Sequence, residues 1–157
     1  MTNYISVEDQ KVIAQRYRTG VILTLALAVS VLVYLLIARI ITPETTIPGS
    51  EKWIQPIFIV VIVLGLAVVL IRRGLMSQAL LAKVAAGGLN ALLGRLLTIT
   101  IICLVIAELV GLLGLVFYLL TGYYEYSWRL GVVSILLILY SFPRRSEWER
   151  IISRNTQ

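Results

Sequence analysis

The sequence predicts an all-α fold: a four-transmembrane-helix integral membrane protein, built as two helical hairpins with both termini on the cytoplasmic side. Three observations predict it. The 157 residues are 59% apolar and only 14% charged, whereas a soluble domain runs about 45–50% apolar and roughly 25% charged. The apolar excess falls in long runs that no small water-soluble core could hide. Lys and Arg gather on alternate sides of those runs, as cytoplasmic connections require. A chain of this length has room for one compact domain.

The first segment, Met1–Gly20, is polar. Ser6 is placed to cap a helix, and Asp9 three residues on can reach back to it. Glu8 and Asp9 suit the positive end of the helix dipole. A short cytoplasmic helix is therefore expected to run from Val7 directly into the membrane. The first span is Val21–Ile41, interrupted only by Thr24, Ser30, Tyr34 and Arg39. Its small hydroxyls can bond back to their own helix, and Arg39, near the far end, can snorkel to the headgroups. No cleavable signal peptide is expected, since this apolar run starts late and continues too long for one.

Thr42–Lys52 reads as a short loop, with Pro43, Pro48 and Gly49 preventing helix continuation. Trp53 marks an interface. The second span, Ile54–Ile71, carries Pro56 in its first turn and stops at Arg72 and Arg73. Residues 74–95 are rich in Ala and Leu, with Lys83, Asn90 and four glycines. They read as an amphipathic cytoplasmic connection, a linker helix lying on lipid. The third span, Leu96–Leu120, contains a single charge, Glu108. Tyr118, Tyr123, Tyr124, Tyr126 and Trp128 form an aromatic cluster suited to the outer interface, with Gly122 making the turn. The fourth span, Trp128–Phe142, is short for a bilayer that wants about 20 apolar residues, and Arg129 near its start must snorkel outward. Pro143, Arg144 and Arg145 end it. In the tail, 144–157, Trp148, Ile151 and Ile152 make one apolar stripe, suited to the membrane surface or a neighbouring subunit.

Orientation follows from counting. The N-terminal segment, the middle connection and the tail together hold eleven Lys and Arg, while the other side holds only Arg39, Lys52 and Arg129. That asymmetry places both termini inside. The net charge of +6 fits anionic lipid headgroups. No base-reading basic helix accompanies it, so nucleic acid is not an expected partner.

Chemistry has few places to sit. There is no histidine, and the single cysteine, Cys103, lies in an apolar run, so no internal disulfide forms. No nucleophile–base pair, metal-ligand cluster or phosphate-cradling glycine loop is present. The chain is expected to be non-enzymatic, without catalytic residues, metal, cofactor or small-molecule substrate. The exception in chemical character is Glu108, at the middle of its span. An acid there costs several kcal/mol, about 2.5–3.5 for Asp on insertion scales. It must therefore hydrogen-bond within protein rather than face lipid. Two readings stand: a proton or cation exchange site, or a carboxyl group that joins helices. Ala107 and Gly111 form a small-xxx-small pair beside it, followed by Gly114. Such residues let helices approach closely, within the chain or between subunits.

The run Ala107-Glu108-Leu109-Val110-Gly111-Leu112-Leu113-Gly114-Leu115-Val116 resembles the carboxylate-bearing helix of rotary ATP synthase proteolipid subunits, where a Glu is followed six to eight residues on by Gly-Leu-Val. Glu108, Gly114, Leu115 and Val116 match. The resemblance covers one helix of the four. It implies that Glu108 is an ion-binding carboxylate, that the chain packs in a ring, and that its setting is a bacterial cytoplasmic membrane or an assembly derived from one. The first and second spans differ from that family in holding a single interior glycine, Gly65.

The functional expectation is a structural membrane protein whose partners are lipids and further copies of itself, closing into a ring or extending as a helical tube or filament. The alternatives are a rotor-ring-like subunit using Glu108, and an accessory subunit of a larger membrane complex docked through the Trp148–Ile152 stripe.

Overall fold

The computed structural model describes residues 7–43 and 49–155. The Ser6 cap, Pro48 and the last two residues of the tail lie outside these ranges. Among the described residues there is no strand. The helices are α1 (Val7–Ile40), α2 (Ile54–Leu75) after a short 3-10 turn (Ser50–Trp53), α3 (Gln78–Ala85), α4 (Leu89–Thr121), α5 (Tyr124–Ser141) and α6 (Arg145–Asn155). Four of the helical stretches are long and apolar enough to cross a membrane, as an integral membrane protein requires.

Helix lengths follow from the breakers. With 34 residues, α1 measures about 51 Å, well beyond a hydrocarbon core of about 30 Å, so its first turns project past the apolar layer. The 33 residues of α4 do the same at their start. Gly88, at φ +96°, breaks the chain between α3 and α4 in a conformation that costs a glycine little. Gly122, at φ +75°, closes α4, its N–H donating to the Tyr118 carbonyl at 2.7 Å. The helix that carries the last apolar run begins at Tyr124, four residues before Trp128, and its 18 residues reach about 27 Å.

The centre of the bundle is α4. It packs along α5, and α1 and α2 each lean on α4 and α5. Although consecutive in the chain, α1 and α2 scarcely touch each other, so the first hairpin is one of connectivity and the second one of contact. Val31 lies against Gly111, and the Tyr118 hydroxyl donates to the Ile41 carbonyl at 2.7 Å, so α1 and α4 run parallel. The directions of the four spans therefore alternate, and the start of α1 meets α6 at one end. The small hydroxyls behave as expected: Thr24 and Ser30 donate to the carbonyls of Gly20 and Ala26 on their own helix.

That shared end carries its own core. Leu81, Leu92, Leu93, Leu96, Trp148 and Ile152 are buried together, with Ile13, Tyr17 and Met76 packed against them. Tyr17 meets the Trp148 ring edge-on at 6.0 Å. Two expectations are corrected here. The tail stripe faces neither lipid nor a neighbouring subunit: Trp148 and Ile152 are each 1% exposed inside the chain's own fold. The connection is not a helix resting on lipid by its apolar face, because Leu81 of α3 is buried in the same core. The projecting ends of α1 and α4 supply a closer apolar surface than the bilayer does, and both stripes bury against it.

Candidate functional site

Mid-span, α4 presents small residues to its neighbours. Ala107, Gly111 and Gly114 are all buried. A Cβ on Gly111 would lie 3.0 Å from Ser134 Oγ and 3.1 Å from a Val31 methyl; one on Gly114 would lie 3.0 Å from Leu130 Cβ and 3.2 Å from the Ser127 carbonyl. The close approach that these residues permit is thus made within the chain, to α1 and α5. The Ser134 hydroxyl crosses the seam and donates to the Ala107 carbonyl at 2.6 Å.

Glu108 sits half-buried where α1 meets α4. The Tyr34 hydroxyl donates to its Oε1 at 3.0 Å. In the sequence Tyr34 is only an interruption of an apolar run, with nothing in that run to pair it with Glu108. The available signal was that Tyr34 and Glu108 are prominent mid-span polar groups on two spans that run in the same direction. On the other flank of Glu108 lies the outward stripe of α4, including Val105, Leu109, Leu112 and Val116, all exposed. The carboxyl group therefore has a hydroxyl partner on one side and an open apolar face on the other. Cys103 is buried near α2, its Sγ 3.8 Å from the Val68 carbonyl, away from this pair. Among the described residues no three His, Cys, Asp or Glu side chains come together as a metal site.

The aromatic residues divide. Trp53 and Trp128 are exposed. Tyr126 instead turns into a network, edge-on to Phe58, Phe117 and Tyr123 at about 6 Å, and Tyr124 meets Tyr118. The cations at this end lie on rings, Arg39 over Tyr124 and Arg129 over Tyr126, and Arg129 also pairs with Glu125. At the opposite end Arg73 and Arg144 are exposed, and Arg145 pairs with Glu149 along α6. Arg72 is more deeply held: its side chain is 13% exposed, pairs with Glu147 at 3.0 Å, donates to the Tyr140 carbonyl and lies over the Tyr140 ring.

These features define a class, an integral membrane protein of four helical spans with a basic end and a mid-span carboxyl group. No protein-family model matches the chain, and no curated protein or solved structure matches it either.

Proposed function

We propose that the protein is a non-enzymatic structural component of a membrane, working by association with further copies of itself. The observation that carries this reading is the setting of Glu108. Its carboxyl group is half-buried at mid-span, with exposed α4 side chains beside it. A polar group left partly open to hydrocarbon is costly. A second copy laid over the α4 stripe removes that cost. If the covering face is a different face of the next copy, the contact is heterologous and generates a ring or an open tube. The likeness of residues 107–116 to rotor-ring helices supports the same packing. The small-residue seam is not the contact surface, because it is filled by α1 and α5. Charge asymmetry supports a cytoplasmic setting for the basic end, and a bacterial cytoplasmic membrane is the proposed setting. The test is a photo-reactive side chain placed at Leu112, combined with electron microscopy of the protein in mild detergent. Capture of a second copy, with repeating rings or tubes, is expected. Uniform one-chain particles with no captured copy refute the reading.

A second reading is favoured by the Tyr34–Glu108 pair. A carboxyl group with one hydroxyl partner and an open flank can take up and release a proton or cation. It requires a carbodiimide adduct at Glu108 whose formation sodium or acid alters. A Glu108→Gln variant retaining full ion exchange rules it out.

A further inference from the structure

Where α2 and α5 reach the basic end, a cavity of about 350 Å³ opens between them and α6, lined by Arg72, Tyr140, Arg144, Ser146, Glu147 and Arg150. It holds three guanidinium groups against one carboxylate, and that carboxylate is already engaged with Arg72. Arg144 and Arg150 are exposed and have no ion-pair partner among the described residues. The cavity therefore carries uncompensated positive charge around a hydroxyl, Ser146, which can both donate and accept hydrogen bonds. Guanidinium groups suit phosphate oxygens because their donors are fixed in a planar fork.

Position decides between sources of phosphate. Arg72 is in the last turn of α2 and Tyr140 near the end of α5, so the cavity stands where the spans leave the apolar layer. Immediately below, one turn from Tyr140 on the same face of α5, Leu136 is 60% exposed. A ligand with an anionic head and apolar tails meets both surfaces at once, whereas a free anion uses only the first. Basic pockets between helices at this depth are suited to lipid headgroups.

We propose that this cavity is a binding site for the phosphate headgroup of an anionic phospholipid, whose acyl chains lie along the α5 face below it. Arg72, held in place by Glu147 and the Tyr140 carbonyl, forms the floor, and Arg144 and Arg150 close over the phosphate. The site does not depend on the oligomeric state of the protein.

The test uses the full chain in mild detergent and counts retained lipid by native mass spectrometry. Phosphatidylglycerol and phosphatidylcholine with identical acyl chains are compared. Two double variants follow: R144Q/R150Q in the cavity, and R16Q/R18Q, which removes the same charge from exposed positions on α1 at the same end. Glycerol 3-phosphate supplies the anion without the chains. Retention of phosphatidylglycerol at least about five-fold over phosphatidylcholine is expected, from one arginine's worth of headgroup attraction. R144Q/R150Q loses that preference and R16Q/R18Q keeps it. Equal retention of the two lipids, or equal loss in both double variants, overturns the site. Glycerol 3-phosphate binding as tightly as the lipid overturns the lipid assignment in favour of a free-anion site.

Discussion

Two glycines on one helix should respond in opposite directions to the same substitution. Gly114 and Gly94 both lie within α4. At Gly114 an added methyl meets Leu130 Cβ at 3.0 Å and the Ser127 carbonyl oxygen at 3.2 Å, neither of them the far end of a flexible side chain; at Gly94 nothing lies within 4 Å. Gly114→Ala can be accommodated only if α4 and α5 move apart by a few tenths of an ångström, and overpacking of this kind costs about 1–3 kcal/mol. That reduces the folded-to-unfolded ratio by roughly 5-fold to more than 100-fold. Gly94→Ala removes the entropic penalty of a mid-helix glycine and should be neutral or stabilising by up to about 1 kcal/mol. The assay is reversible unfolding in mixed micelles by increasing sodium dodecyl sulfate, followed by helical circular dichroism. If Gly114→Ala leaves the unfolding midpoint unchanged and alters only the size of the particle in detergent, the small-residue seam lies between subunits and the packing described above is wrong.

Tyr34→Phe removes the hydroxyl that reaches Glu108 and should cost about 0.6–1.7 kcal/mol, the range of interhelical hydrogen bonds in membranes. Glu108→Gln keeps an acceptor oxygen and should cost less, and a double-mutant cycle in the same unfolding assay that finds no coupling between the two positions removes this bond from the account. Trp148→Ala empties the centre of the core at the basic end, where truncating a buried aromatic costs about 3–5 kcal/mol, and should expose α6 to protease; a change within about 0.5 kcal/mol, the scale of surface substitutions, would instead mean that Trp148 rests on lipid.

Much of this fold is legible in the sequence because membrane spans declare themselves by length. Each long apolar run contains a helix, and the breaks at Pro43 and Gly122 fall where helices end. The boundaries are less legible for a physical reason: polarity and helicity change at different places. Tyr124, Glu125 and Tyr126 are too polar to be counted into an apolar run, yet they form the first turn of α5. The first residues of α4 are likewise helical before they are mid-membrane. Glu108 stands out in sequence as a lone acid in hydrocarbon, but its partner does not, because pairing Tyr34 with it requires that α1 and α4 be neighbours. Nothing in the order of the spans says that α1 packs on α4 rather than on α2. The basic cavity is hidden for the same reason: Arg72 and Arg150 are far apart in the chain and meet only when α6 folds back over the end of α2.

The misread tail stripe exposes a difference between the two solvents this chain occupies. Trp148, Ile151 and Ile152 make an amphipathic surface, and such a surface is equally content on lipid or on protein. Periodicity alone cannot choose between them. The choice is made by what else projects into the same aqueous layer. There α1 and α4 extend beyond the hydrocarbon core and present Ile13, Tyr17, Leu92, Leu93 and Leu96, apolar groups that water penalises at about 25 cal/mol per Å². Covering them with α3 and α6 recovers that free energy. Within the bilayer no such gain exists, since lipid tails are as apolar as leucine. Helix contact there rests instead on the close approach at Gly111 and Gly114 and on the Ser134 and Tyr34 hydrogen bonds. The protein is thus held by hydrophobic burial at its basic end and by fit and hydrogen bonding along its spans. An apolar substitution that enlarges a buried side chain should therefore do its greatest damage in the spans, and one that truncates a side chain its greatest damage at the basic end.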